Sequence, residues 1–276
     1  MNAVNCFISW NVSPEIFSIG QLSLRYYGLC FVFAFLFASF IFYKILRIEN
    51  HDIFLLPITA NAVFLATLIG ARLGECLFYF PEYYLKNPLK IFIPFENGEF
   101  IGIEGLSSHG AALAIPIALY IVAKSRNISF RWLLDRVCIT VALGAVFIRI
   151  GNLMNSEILG TETTLPWGFI FQTIGENFAR HPVQLYEAFS YFIIFFALYF
   201  TYVKCQKLPK GFITGLFFVL IFSSRFVLEI FKAPLNNFDK NSLLSTGQYL
   251  SLAFIFAGTI ILMSSLMKSR YHLIQK

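Results

Sequence analysis

The sequence predicts an all-α polytopic membrane protein with about seven transmembrane helices. Hydrophobic residues make up 58% of the 276 residues, and the mean hydropathy is +0.70. Charged residues make up only 13%, against roughly 25% in a typical soluble domain. Since no stretch is polar enough to form a separate soluble domain, we expect residues 1–276 to form a single integral membrane domain.

Seven apolar segments have the length that a membrane-spanning helix needs, about 20 residues. They cover approximately residues 24–44, 53–79, 106–124, 133–150, 187–203, 211–231 and 246–267. The second segment contains Pro57 and Asn61, which leaves its ends open. The residues before the first segment lack a basic stretch ahead of their apolar positions, so we do not expect a cleavable signal peptide.

Lysine and arginine accumulate at alternate ends of these segments. The basic ends carry Lys44 and Arg47, then Lys124 to Arg136, then Lys204 to Lys210, and finally Lys268 to Lys276. By the positive-inside rule these ends face the cytoplasm, which places the N-terminus outside and the C-terminus inside. The net charge of +6 then reflects membrane orientation, and no nucleic-acid partner is expected.

The two longest outer loops are rich in aromatic residues. Residues 80–105 include a turn signal at Asn97 and Gly98 between aromatic neighbours, which predicts a short hairpin or an interfacial arm. Residues 158–182 include Trp167 and several phenylalanines. Because aromatic side chains concentrate at membrane interfaces, we expect these loops or arms to lie in the headgroup layer.

An arginine at the outer end of the fourth span is the strongest functional signal. An arginine deep in a bilayer costs roughly 2.5–3.5 kcal/mol, so it persists only beside a partner or a water-filled cavity. The nearest acidic residues along the chain, Asp135 and Glu157, are too far from Arg149 for an ion pair within one helix. Two interpretations remain: an ion pair with another helix, or a phosphate held by two hydrogen bonds, which we favour.

Other polar residues also lie at the outer ends of their spans. Arg225 either pairs with Glu229 four residues later or binds an anion, and neither interpretation is favoured. Arg72 likewise either pairs with Glu75 or binds an anion, and here we favour the ion pair. His109 is either a satisfied core histidine or a general base. The inner halves of the spans are mostly apolar, which argues against a conduction path and favours a site at the outer leaflet.

Several further residues have both a structural and a functional interpretation. Tyr27 either marks the membrane interface or positions a headgroup, and His181 before Pro182 favours a capping or positioning role. The group Asn152, Asn155 and Glu157 either orients Arg149 or forms a headgroup pocket. The sequence lacks the HExxH and GxSxG motifs, and its five cysteines have no paired spacing, so neither metal nor cofactor is expected.

The most specific motif runs from Arg149 to Gly160. Five shorter ones accompany it: Arg25–Gly28, Ser108–Gly110, Arg180–Glu187, Ser224–Phe231 and Gly247–Gln248. In this order the motifs resemble the prolipoprotein diacylglyceryl transferase family over nearly the whole chain. The sequence departs from the family pattern at Ile148 and Ala111 (glycine in the family), Leu153 (phenylalanine), Lys232 (usually arginine) and Leu235–Asn236 (acidic).

The resemblance implies an enzyme of the bacterial inner membrane without a cofactor, whose active site faces the outer leaflet. It would move the diacylglyceryl group of phosphatidylglycerol to the lipobox cysteine of preprolipoproteins, forming a thioether and releasing glycerol phosphate. The partners implied are phosphatidylglycerol, preprolipoprotein signal peptides and membrane lipids. The alternative is a lipid or anion transporter of the inner membrane, which would show broken helices and polar inner halves.

On this basis we assign hypothetical roles to individual residues. His109 would assist deprotonation of the thiol, and Arg149 and Arg225 would hold the phosphate. Tyr27, Asn152 and Glu157 would bind or orient the headgroup. The residues expected to bind substrate are Arg149, Asn152, Asn155, Glu157, Gly160, Arg72, Glu229, His181 and Gln184. This assignment would lose its basis if Arg149 and Arg225 pointed into separate pockets, or if neighbouring carboxylates plugged them with no cavity open to the lipid.

Overall fold

The computed structural model describes residues 7–19, 22–91, 95–96, 99–100, 107–205, 208–234, 239 and 242–274. Seven helices in these ranges are long and apolar enough to cross a membrane, which confirms the predicted class. They are α1 (Tyr26–Ile48), α2 (Leu55–Gly74), α4 (Ser108–Ser125), α5 (Phe130–Met154), α6 (Val183–Lys204), α7 (Phe212–Leu228) and α8 (Thr246–Ile274). A π turn, Glu75–Tyr79, continues α2, and the short α3 covers Pro81–Lys86.

The end of the fourth span differs from the prediction. The sequence placed it near residue 150, just before Gly151, whereas α5 continues to Met154. Gly151 is not a helix terminator here but a packing position, because a Cβ at this residue would lie 2.9 Å from Cδ2 of the Tyr27 ring. The glycine therefore allows α1 to approach α5 closely.

Three two-stranded sheets accompany the helices in the part of the chain that the structure describes. Strand β1 (Ile8–Trp10) pairs in parallel with β6 (Phe169–Phe171), a contact that the sequence did not predict. Strands β2 (Glu15–Ile19) and β3 (Leu22–Arg25) form an antiparallel pair, as do β4 (Phe95–Glu96) and β5 (Glu99–Phe100). The β4–β5 pairing favours the predicted hairpin, although Asn97 and Gly98 lie outside the described residues.

The chain divides into two compact units, residues 43–134 and residues 1–42 with 135–276. In the first unit, α2 packs on α4 through glycines: a Cβ on Gly70 would lie 2.8 Å from the Gly110 carbonyl oxygen. In the second unit, α7 packs on α8, where the rings of Phe222 and Phe254 stack at 4.3 Å. Small residues and flat rings thus allow the close helix contacts that stabilise proteins in lipid.

A buried carboxylate ties α5 to the start of α7 in the second unit. Asp135 is 2% exposed. It accepts hydrogen bonds from the backbone N–H groups of Gly211 (2.7 Å) and Thr214 (2.8 Å) and from the Thr214 hydroxyl (2.6 Å). Since the first N–H groups of a helix have no partner within it, Asp135 serves as a cap supplied by a neighbouring helix.

Candidate functional site

The end of α5 brings the residues of the longest motif together. The Glu157 N–H donates to the Asn152 carbonyl and the Ser156 N–H to the Leu153 carbonyl, each at 3.0 Å. Ser156 has a φ of 51°, so the two bonds and this left-handed residue form a Schellman helix ending. Arg149 and Asn152 therefore lie in the last turns of α5, and Glu157 follows directly after them.

A chain of hydrogen bonds links these side chains. Nη1 of the buried Arg149 donates to Oδ1 of Asn152 at 3.1 Å, and Nδ2 of Asn152 donates to Oε1 of Glu157 at 2.6 Å. Gln184, at the start of α6, donates from Nε2 to the Glu157 carbonyl at 2.7 Å. The loop after α5 thus fixes one side of the guanidinium. The Arg149 Nη2 group makes no hydrogen bond to the described residues.

Both arginines of the predicted site meet one carboxylate, Glu187, which is fully buried. Its Oε2 lies 3.2 Å from Nε of Arg149, close enough for an ion pair although not aligned as a hydrogen bond. Its Oε1 lies 3.6 Å from Nη1 of Arg225 and 3.1 Å from Nζ of Lys232. The Tyr191 hydroxyl donates to the same oxygen at 3.3 Å and accepts from Arg225 Nη1 at 3.3 Å.

A second carboxylate binds the lysine. Nζ of Lys232 lies 2.8 Å from Oε2 of Glu229, and the Ser245 hydroxyl donates to Oε1 of Glu229 at 3.3 Å. A Cβ on Gly247 would collide with the Glu229 carboxylate, so the glycine of this motif allows the two groups to approach. We call Arg149, Arg225, Lys232, Glu187 and Glu229 the charge cluster.

The charge cluster has more positive than negative groups. Three cations face two carboxylates, which leaves a net charge of +1. A cavity of about 190 Å³ adjoins the lysine end of the cluster, lined by Glu229, Lys232, Ala233, Pro234, Asp239, Ser242, Leu243, Ser245 and Gln248. Arg149, Arg225 and Glu187 are not among its lining residues, and its wall carries two carboxylates, Glu229 and Asp239. The surplus positive charge therefore lies with the two arginines around Glu187, and a buried surplus of this kind favours an anionic partner.

The remaining predicted residues of this unit surround the same helix ends. The Tyr27 ring packs over Gly151 and lies beside Asn152. The Asn155 side-chain oxygen is buried and has no hydrogen-bond partner among the described residues. Gly160 pairs with Lys232 in an antiparallel bridge, where a Cβ would collide with the His181 carbonyl.

His181 belongs to an aromatic group beside this bridge. Its Nδ1 lies 3.2 Å from the Tyr186 hydroxyl, and its ring centroid is 5.0 Å from that of Phe231. Trp167 donates from Nε1 to the Tyr186 hydroxyl at 2.8 Å. Burial lowers the pKa of His181. The His181 ring thus packs against Tyr186 and Phe231, whereas its backbone carbonyl and Cβ face Gly160.

The other two predicted residues, Arg72 and His109, belong to the unit of residues 43–134. Arg72 donates from Nε to the Ile91 carbonyl at 2.9 Å and from Nη2 to the Lys90 carbonyl at 3.1 Å. Its guanidinium also lies 5.2 Å from the Tyr84 ring centroid. Arg72 therefore holds the segment after α3. His109 is fully buried in the first turn of α4, with Nδ1 3.3 Å from the Tyr79 hydroxyl.

Comparison with known proteins decides the family. A family model described as prolipoprotein diacylglyceryl transferase matches residues 14–264. The chain belongs to the prolipoprotein diacylglyceryl transferase family. Its relatives include proteins named phosphatidylglycerol–prolipoprotein diacylglyceryl transferase. One from Tolumonas auensis is 38% identical over 93% of this chain and 96% of the relative. Another, from Bacteroides fragilis, is 38% identical over 94% of this chain and 95% of the relative. A third, from Protochlamydia amoebophila, is 44% identical over 70% of this chain and 52% of the relative.

Lys232, a position at which the sequence departs from the pattern expected by resemblance, contacts both carboxylates. Its side chain ends in a compact ammonium group, not in the planar fork of an arginine. Sequence reasoning named Lys232 only as a departure, and it named Glu187 only as the last residue of a motif. The available signal was the spacing of Gln184, Glu187 and Tyr191, which places all three on one face of α6.

Proposed function

We propose that this chain transfers the diacylglyceryl group of phosphatidylglycerol to the lipobox cysteine of preprolipoproteins, the first step of lipoprotein maturation. Family membership over residues 14–264 supports the reaction. The observation that carries the proposal is the convergence of Arg149, Arg225 and Lys232 on one buried carboxylate. A buried group of cations with surplus charge suits an anionic lipid headgroup.

The reaction is a displacement at carbon. The cysteine sulfur forms a bond with the glycerol carbon that carries the phosphate, and the bond between that carbon and the phosphate oxygen breaks. The thiol must lose its proton because the neutral form is a poor nucleophile. We assign the acceptance of that proton to His109. The products are a thioether and glycerol phosphate.

The phosphate changes charge during this step. It begins as a diester with one negative charge and leaves as a monoester that develops a second. Fixed guanidinium groups stabilise the leaving group more than the bound lipid, and only this difference accelerates the reaction. In our proposal Arg149 and Arg225 hold the phosphate, and Glu187 keeps both guanidinium groups in place. Nη2 of Arg149 is available for one of these bonds.

The remaining predicted residues would recognise or support the headgroup. Asn152 and Glu157 offer amide and carboxylate groups suited to the glycerol hydroxyls, and Tyr27 lies beside them. Asn155 has a buried oxygen, and Gln184 orients the Glu157 backbone. Glu229 lines the neighbouring cavity, Gly160 and His181 would position the backbone beside Lys232, and Arg72 would support the segment after α3.

We also propose the orientation that the basic residues predict. The N-terminus would lie outside the bacterial inner membrane, the C-terminus in the cytoplasm, and the active site at the outer leaflet. The aromatic loops would then lie in the headgroup layer. Phosphatidylglycerol and the signal peptide would both arrive laterally through the membrane.

Transfer of a labelled lipid to a lipobox peptide tests the function. Purified protein in vesicles should label the peptide from phosphatidylglycerol but not from phosphatidylethanolamine. Arg149→Ala should lower the rate about 10²–10³-fold, the typical effect of removing one transition-state donor. The exposed Arg126 provides the matched control, Arg126→Ala, which should keep the parental rate.

Two outcomes would contradict the proposal. Unchanged transfer by Arg149→Ala would remove the phosphate assignment. Movement of labelled lipid between leaflets without any covalent change to the peptide would instead favour the transporter.

A further inference from the structure

The helix α2 changes its hydrogen-bond pattern where it approaches the start of α4. Up to Gly74 it is an α-helix, and Glu75–Tyr79 form a π turn. The glycines before the turn leave no space between the helices. A Cβ on Gly74 would lie 2.5 Å from the Gly110 Cα and 2.8 Å from the Gly110 nitrogen. The backbone of α2 is therefore held against the residue that follows His109.

The π turn determines which side chain faces α4 next. In a regular α-helix, residues four apart share a face, so Gly70 and Gly74 would be followed by Phe78. A π turn widens one interval from four residues to five. Tyr79 therefore takes the place that Phe78 would have had. Its hydroxyl lies 3.3 Å from Nδ1 of His109.

We propose that Tyr79 is a positioning residue for His109, an inference that rests on the proposed role of His109 as the base for the thiol. The hydrogen bond on one imidazole nitrogen sets which nitrogen carries the proton. A tyrosine hydroxyl can donate or accept, and we assign Nδ1–H as the donor to the Tyr79 oxygen, which leaves the lone pair on Nε2. In this assignment Tyr79 holds the ring orientation and selects the tautomer with a basic Nε2, and the π turn brings Tyr79 to that position.

Removal of the Tyr79 hydroxyl tests this assignment. Tyr79→Phe keeps the ring that packs in the helix and should lower kcat about 10-fold, less than the 10²–10⁴ that a general base contributes. The KM for phosphatidylglycerol should stay the same, because a residue acting through the base does not bind the lipid. Tyr120→Phe, on the exposed side of α4, is the control and should leave both constants unchanged.

Moving the hydroxyl by one residue tests the π register. The double variant Phe78→Tyr with Tyr79→Phe places a hydroxyl where a regular α-helix would need it, and kcat should stay low. Recovery of kcat in the double variant would overturn the inference, as would a parental kcat in Tyr79→Phe. Melting temperatures equal to that of the parent show that neither variant acts by unfolding.

The test separates this inference from the proposed function. Loss of transfer in His109→Gln together with normal kcat in Tyr79→Phe removes only the role of Tyr79. Full transfer in His109→Gln removes the base assignment and the positioning role with it.

Discussion

Glu187→Gln changes one buried charge at the centre of the charge cluster. The substitution preserves the size and shape of the side chain, so packing against Tyr191 remains. It removes the negative charge that Arg149, Arg225 and Lys232 share at 3.1–3.6 Å. The cluster then has three cations and one carboxylate, Glu229, and its net charge rises from +1 to +2.

The effect on stability should be large because the group is fully buried. Removing one partner of a buried ion pair costs about 3–5 kcal/mol, since an uncompensated charge remains. In a chain of this size 1 kcal/mol shifts the melting temperature by about 2–4 °C. We therefore expect the melting temperature of Glu187→Gln to fall by roughly 6–20 °C.

Lipid should distinguish the variant from the parent. Trp10 and Trp167 report unfolding by fluorescence in detergent micelles doped with one lipid at a time. Phosphatidylglycerol supplies a negative charge to the cluster, so it should raise the melting temperature of Glu187→Gln more than that of the parent. Phosphatidylethanolamine has no net charge and should raise both equally. Transfer should nevertheless be slow at saturating phosphatidylglycerol, because the guanidinium groups are no longer held in place.

A control variant and two contrary results complete the test of Glu187. Glu162 is exposed, and Glu162→Gln should leave both melting temperature and transfer rate unchanged. If Glu187→Gln has the same melting temperature as the parent, the buried carboxylate does not stabilise the cluster. Equal stabilisation of the variant by both lipids would show that the surplus charge does not attract phosphate.

Two further substitutions test how the helices support the site. Gly110→Ala would drive a Cβ into the Gly70 carbonyl and should cost about 1–3 kcal/mol of stability, measured as a lower melting temperature. The control Gly28→Ala, with nothing within 4 Å of a Cβ, should not lower it. Equal melting temperatures of the two variants would refute the close contact. Asp135→Asn should cost about 1–3 kcal/mol of stability, because it leaves a buried N–H of α7 without an acceptor. The transfer rate below the melting temperature should stay normal. A loss of transfer without a loss of stability would instead give Asp135 a role in the reaction.

Hydropathy and charge were sufficient for the spans but not for their ends. The apolar segments predicted all seven candidate spans, because a membrane requires long runs of apolar residues. The predicted end of α5 was wrong because a glycine such as Gly151 can either terminate a helix or allow close packing. The actual terminator is Ser156, whose left-handed backbone is unusual for serine. Only the contact with Tyr27 distinguishes the two uses.

Contacts between helices were the part of the site that sequence patterns did not contain. The buried Arg149 was recognisable from its cost in a membrane, and the same argument requires a partner. Its partner, Glu187, lies on another helix, and nothing in a single sequence connects the two positions. Likewise, the π turn at Glu75–Tyr79 changes the register by one residue, and the apolar pattern around it is compatible with both registers.

The charge cluster reconciles two demands that oppose each other. Two arginines without a counter-charge would destabilise the helix bundle before any lipid binds, whereas a neutral cluster would have little attraction for phosphate. Glu187 satisfies the first demand by contacting both guanidinium groups. The second demand is also met, since the two arginines outnumber Glu187 by one positive charge, while Lys232 and Glu229, 2.8 Å apart, balance each other. Because a phosphodiester carries one negative charge, the bound lipid would neutralise the cluster, and the second charge that develops as the phosphate leaves would then be stabilised by guanidinium groups already in position.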